Sequence, residues 1–232
     1  MQESTIQQLL LALSTERLSS YLRQAPQAAL DAQHVGRYAW NMLLSESLYP
    51  SLQMLEIVLR NTVHNSAKNE FGRDDWFDVP GLLRTNETDA IRNAKNVLNR
   101  KNRATEPSRI VAELSFGFWT SLLDRRYEQT LWPKMLTSAF PYIPRKLRTR
   151  KDISARINAL RALRNRVFHH EPIWHWQDLT QKHHELIEAI AWISPAARDL
   201  VSTVDRFSDV AKQGYQASER AILSRFGATG TI

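Results

Sequence analysis

With 232 residues, 43% of them apolar and seven of them tryptophan, the chain can bury a sizeable core and is no disordered polymer. It contains no cysteine, which excludes a disulfide framework, a zinc ribbon and a cysteine nucleophile, and its seven glycines are few enough to favour helices over strands. The formal charge of +7 is uneven: from Lys134 to Arg166 ten basic residues stand against one acid, Asp152, a local +9 that suits a polyanion, or else a solvated basic face.

The N-terminal residues surround a short apolar run, Leu9 to Leu13, with Glu3, Glu16, Arg17 and Arg23, and do not read as a signal peptide. No stretch approaches the roughly 20 apolar residues of a membrane span, and the expected compartment is the cytoplasm. A short helix is predicted over about Thr15 to Arg23, capped by Ser14 or Thr15, with Pro26 starting another. Apolar residues from Leu30 to Leu43 recur at three and four, a helical period that Tyr49-Pro50 should interrupt. A strongly apolar helix then runs from Leu52 to about Phe71, closed by Gly72.

Residues 72–85 read as a loop anchored by Trp76 and Phe77, followed by a polar helix from about Asn86 to Arg103. Pro107 should begin a helix carrying Ile110, Val111 and Leu114, and the block Phe116-Gly117-Phe118-Trp119 must be buried. Pro133, Pro141 and Pro144 mark an irregular basic region down to Thr149. From Lys151 a helix with Ile153, Ile157, Leu160, Leu163 and Val167 at helical spacing runs to His170, and Pro172 ends it. An aromatic turn (Trp174, Trp176) precedes a helix from about Gln177 to Ile193. Pro195 begins a last helix to about Gln213, and residues 214–232 are expected to be a flexible tail. One all-α domain over residues 1–232 is the simplest organisation, a helical bundle with extra N- and C-terminal helices.

The residues best equipped for chemistry are Arg164, Asn165 and His169. On a helix Asn165 and His169 share a face, and the long Arg164 side chain reaches the same patch. A permanent cation beside a histidine, in a last turn whose dipole favours positive charge, is the minimum equipment for cutting an RNA backbone without a metal. One copy supplies only part of an acid–base pair, and two copies about a two-fold axis would supply the rest. Arg and His near a helix end can also simply satisfy terminal carbonyls. His170 is an equal candidate for the catalytic histidine, and Glu171 can orient its neighbour. The basic residues Arg145, Lys146, Arg148, Arg150, Lys151, Arg161 and Arg166 are the candidate nucleic-acid contacts.

The segment Leu163 to Ile173, Leu-Arg-Asn-Arg-Val-Phe-His-His-Glu-Pro-Ile, resembles the signature of the Abi-like (abortive infection) family within the HEPN superfamily. Leu55 to Asn61 with Phe71-Gly72 and Trp76-Phe77, and Leu114 to Trp119, are similar to its other blocks, so the resemblance spans roughly residues 15–195. It implies an α-helical HEPN domain and a metal-independent endoribonuclease acting on tRNA or mRNA, with no cofactor. It also implies a homodimer formed across the motif helices, a role in phage defence or as a toxin, and an antitoxin or regulator on a separate chain. By matching position Arg164 and His169 would be catalytic and Asn165 would aid the geometry. Arg60, Asn61 and His64 are candidates to face the site, with a capping or core-polar role as the other reading.

A metal hydrolase is the rival enzyme class, because His169, His170, His175, His183 and His184 lie close in sequence. Their spacing fits no zinc pattern, and His183 and His184 read as polar faces of a helix. The non-enzyme alternative is a catalytically silent RNA-binding or protein-interaction module, with Trp174 and Trp176 stacking on bases or else buried.

Overall fold

The computed structural model describes residues 5–21 and 32–226, and the regular elements among them are all helical. The fold is all-α, and no helix among these residues is long and apolar enough to cross a membrane. The helix start expected at Pro26 and the last six residues lie outside the described residues. The chain opens with α1 (Thr5–Leu13) and α2 (Thr15–Ser19). Ser14 caps the second, its hydroxyl accepting from the Arg17 N–H at 3.3 Å.

Then comes α3 (Ala32–Phe71), 40 residues long, with Pro50 inside it. The interruption expected at Tyr49-Pro50 does not occur. Proline removes one backbone donor there, at a cost of about 3 kcal/mol in a helix interior. Leu44, Leu48, Leu52, Leu55, Leu59, Val63 and Ala67, all buried, carry one apolar stripe at steps of three and four straight through it. A break at Pro50 would throw the stripe out of register, and its burial outweighs the missing hydrogen bond. Gly72 ends the helix with φ +67°, as expected of a left-handed stop.

The remaining helices are α4 (Thr85–Arg100), α5 (Pro107–Glu113), α6 (Phe116–Ser121), α7 (Trp132–Ala139), α8 (Arg150–Phe168), α9 (Leu179–Ile193), α10 (Pro195–Ser202) and α11 (Phe207–Phe226). Two of them correct the sequence reading. Residues 132–139, expected to be irregular, form α7, because Pro133 lies in the first turn, where its missing N–H costs nothing. The last helical stretch is split at residues 203–206 and continues beyond Gln213 to Phe226, with a kink at Gly214 (φ +67°).

The described residues divide into two compact units, with α3, α8 and α9 each running from one into the other. The first comprises residues up to Pro50, Arg164–His183 and those from Val204. Its core holds Leu18, Tyr21, Leu44, Leu48, Val167, Ile173, Trp174 and Phe207. Tyr21 and Trp174 stack at 6.2 Å between centroids. The Arg37 guanidinium lies 5.5 Å from the Trp174 ring and 5.0 Å from Tyr215, and it donates to the Tyr21 carbonyl at 3.0 Å. Gly36 lets α11 approach, since a Cβ there would stand 2.9 Å from Glu219 Cα. His183, read as a polar surface residue, is buried instead, its Nε2 2.8 Å from Asp205 and its ring stacked 4.4 Å from Phe207. An imidazole with an acid partner and an aromatic lid can enter a core at low cost.

The second unit, Ser51–Leu163 with His184–Thr203, buries Trp76, Trp119, Trp132, Phe140, Ile153, Ile157, Leu160, Leu163 and Ile190. One charged group is buried among them. Glu87, 3% exposed, accepts from Ser121 Oγ and Arg126 Nη2, both at 2.7 Å, and from Tyr127 Oη at 2.5 Å. The Tyr127 oxygen in turn accepts from the Arg84 N–H at 3.0 Å, and burial with the Glu87 bond pushes that phenol up to about 12.

Candidate functional site

The Arg-Asn-x-x-x-His unit ends α8, and the backbone there follows a recognisable stop. His169 N–H donates to the Asn165 carbonyl at 2.9 Å, His170 N–H to Val167 at 3.1 Å and Glu171 N–H to Arg166 at 2.8 Å. The last two are the paired bonds of a left-handed helix terminus, in which the residue with positive φ is usually glycine. Here it is His170, with φ +58°. A left-handed conformation costs an L-residue about 1–2 kcal/mol, so histidine at this position is a local choice against stability.

The turn is held from three sides. Arg166 lies 3.4 Å from Glu171 Oε2, donates to the Pro172 carbonyl at 3.2 Å and lies over the Trp176 ring at 5.4 Å. Glu171 therefore braces the turn through Arg166. Beyond Pro172, the Asn41 side chain of α3 accepts from the N–H groups of Ile173 (2.7 Å) and Trp174 (3.1 Å). Asn41 is 4% exposed, and those two donors would otherwise be buried without a partner. Nothing in the motif pointed to Asn41. The available signal was a lone amide between Trp40 and Met42 in an apolar helical pattern.

This stop puts His170 on the wall shared by two clefts, each of about 410 Å³. Arg17, Tyr38, Asn41, Met42 and Ser45 line one with it; Ser45, Glu46, Tyr49, Pro50, Val167 and Phe168 line the other. Arg164 lines neither cleft and stacks on a residue of the second one's wall. Its guanidinium sits 4.2 Å from the Phe168 ring, and Phe168 lies against Tyr49 at 5.4 Å. His169 is exposed and lines neither cleft, and Asn165 is half-buried. Of the predicted trio, none lines a cleft: Arg164 stacks on the cleft residue Phe168, and His169 lies outside both clefts.

The other candidates sort by what they touch. Trp174 is buried and unavailable for base stacking, whereas Trp176 is half-exposed beneath Arg166 and Lys182. In the second unit Arg148 donates to the Ile143 carbonyl (3.0 Å), Arg150 to Leu123 (2.9 Å) and Arg161 to Thr120 Oγ1 (3.1 Å). With Arg166, these arginines tie segments together, so the basic stretch is less available than its charge suggests. Arg145, Lys146 and Lys151 stay exposed. Among the described residues no three His, Asp or Glu converge into a group able to hold a metal ion.

Arg60 Nε donates to Asn61 Oδ1 at 3.2 Å at the surface of the second unit. His64 is a core-polar residue, its Nδ1 accepting from Trp76 Nε1 at 3.0 Å, and burial pushes its imidazole below the usual range. The unfolded chain then takes up this proton more readily than the folded one. Stability is present above the unfolded value, near 6.5, and is lost as pH falls through the folded one. The melting temperature should drop between pH 7.5 and 5.5 with a shallower slope in His64→Gln. Parallel slopes in the two proteins would remove His64 as the cause.

Comparison with protein-family models, with curated proteins and with solved structures finds no match to this chain.

Proposed function

We propose that the chain is a metal-independent endoribonuclease of the HEPN kind that acts in the cytoplasm, in phage defence by abortive infection or as a toxin. The observation that carries this reading is His170, held in a strained left-handed stop between two clefts, with the Arg164 guanidinium stacked on Phe168 in the wall of one of them. An imidazole between two nucleotide-sized recesses suits a phosphodiester whose flanking nucleosides occupy either side. In such a reaction the 2′-hydroxyl attacks the adjacent phosphorus, a base takes its proton, a cation stabilises the phosphorane and an acid protonates the leaving 5′-oxygen. Arg164 supplies the cation and His170 one of the proton transfers. A second copy of the chain supplies the other, and Met42, Leu43 and Tyr49, large apolar side chains exposed on the cleft-bearing helix, offer it a seam. His170 takes the role that the motif spacing allowed to either histidine.

Wild type, Arg164→Ala, His169→Ala and His170→Ala, incubated with total RNA and with tRNA in excess chelator, test the proposal. Wild type and His169→Ala should release 2′,3′-cyclic phosphate ends. Arg164→Ala and His170→Ala should be slower by about 10²–10⁴-fold. A wild type inert on every RNA class would leave the binding-module alternative.

A further inference from the structure

The second unit carries a cleft of a different character. Asn61, Asn65 and Asn69 follow one another at intervals of four on α3, placing three exposed carboxamides on one helix face about 6 Å apart. Asparagine is a poor helix former, because its side chain competes for backbone hydrogen bonds, so three on one face are not explained by helix stability. They line a cleft of about 490 Å³ together with Ser138, Tyr142 and Ser194, and no charged side chain lines it.

Half of the polar side chains of this lining are already engaged. Thr62 donates to the Ala139 carbonyl (2.9 Å), Ser138 to Met135 (3.0 Å), Ser194 Oγ accepts from the Ala197 N–H (3.2 Å) and Asn61 accepts from Arg60. Asn65 and Asn69 have no side-chain partner among the described residues, and each offers a donor and an acceptor side by side. At the rim, the Tyr142 ring is 61% exposed while its backbone is fixed, its N–H donating to the Trp192 carbonyl at 3.1 Å between buried Phe140 and Ile143. An uncharged recess with spare carboxamides and an exposed aromatic on a tethered backbone suits a heterocycle. A carboxamide pairs in bidentate fashion with the N6 and N7 positions of adenine, and an aromatic ring stacks on the base. Arg145 and Lys146, both exposed, lie within about 14 Å of Tyr142 by chain length alone, in reach of the flanking phosphates.

We infer that this cleft is a base-binding subsite for single-stranded RNA with a preference for adenine: Tyr142 stacks the base, Asn65 and Asn69 read its edge, and Arg145 and Lys146 hold the phosphates. The inference rests on the RNA reading above, but it does not need the chain to cut what it holds.

Binding of 2′-O-methylated oligo(A) and oligo(U) decamers, which lack the attacking hydroxyl, tests it by fluorescence anisotropy. Wild type should prefer oligo(A) by about tenfold. Tyr142→Ala should weaken both oligomers by about tenfold. Asn65→Ala/Asn69→Ala should bring oligo(A) down to the oligo(U) level with no loss of thermal stability, since alanine is the better helix former. Lys146→Ala should lower the salt slope by about one for both oligomers. Unchanged affinities in the tyrosine and asparagine variants, or no oligo(A) binding by wild type, would overturn the subsite. Cleavage of total RNA by the same proteins separates the two claims. Cleavage without an adenine preference removes the subsite and leaves the nuclease, whereas an adenine preference without cleavage of any RNA does the reverse.

Discussion

Replacing Glu87 with alanine should cost about 3–5 kcal/mol and lower the melting temperature by roughly 6–20 °C. The carboxylate is almost fully buried and accepts three hydrogen bonds, from Ser121, Arg126 and Tyr127. The three donors come from two segments: Ser121 ends α6, and Arg126 and Tyr127 belong to one 3₁₀ turn. Glu87 itself lies in the first turn of α4, where the helix dipole favours negative charge. That helix has no side-chain cap of its own, and the Tyr127 oxygen takes the Arg84 N–H instead. Truncating Glu87 strands the buried Tyr127 phenol and leaves Arg126 without its inner partner, while Ser121 keeps the Phe118 carbonyl at 2.9 Å, so α4 loses this tie to the 3₁₀ turn. Glu87→Gln keeps one acceptor oxygen and should lose about half as much. Urea denaturation of both variants, of Tyr127→Phe and of the Glu87→Ala/Tyr127→Phe double variant closes a double-mutant cycle that measures the coupling. An alanine variant within about 0.5 kcal/mol of wild type would show that the network is ornamental.

The all-α fold was legible because most apolar residues follow a helical period and glycine is scarce. What was not legible came from competition between local and tertiary terms. Pro50 is a strong local stop signal, yet the stripe from Leu44 to Ala67 runs through it in register, and that burial outweighs one lost hydrogen bond. Pro133 is read as a breaker only if its place in the helix is unknown; in the first turn the same ring is favourable. His183 could not be placed in the core from sequence, since its partners Asp205 and Phe207 lie more than 20 residues further on.

The site shows the same division. Arg164 and the histidine pair were visible as a motif, and Pro172 announced the helix end. Which histidine enters the clefts was not visible, because it depends on a single φ angle one residue beyond the capping position. The basic count misled for a simpler reason: Arg148, Arg150, Arg161 and Arg166 have long side chains that reach carbonyl, hydroxyl and carboxylate groups at hand, which a tally of charges cannot show.

That φ angle also gives the sharpest test of the site. His170→Gly should make the protein more stable and less active at once. Glycine occupies the left-handed region without the penalty an L-residue bears, and after the greater freedom of the unfolded glycine chain is subtracted the gain should be about 0.5–1 kcal/mol. Cleavage should fall by about 10²–10⁴-fold, because glycine transfers no proton. His170→Asn separates the two effects. Asparagine tolerates the left-handed region better than most residues, so it should hold the stop near wild-type stability, and it should lose activity as fully as glycine does. His169→Ala should change neither quantity by much, since His169 is exposed and outside both clefts. A glycine variant that is less stable than wild type would mean that the imidazole itself holds the turn. A stable glycine variant that still cuts RNA would return the proton transfer to His169. Opposite signs for stability and activity at one residue would be the mark of a position kept for chemistry rather than for the fold.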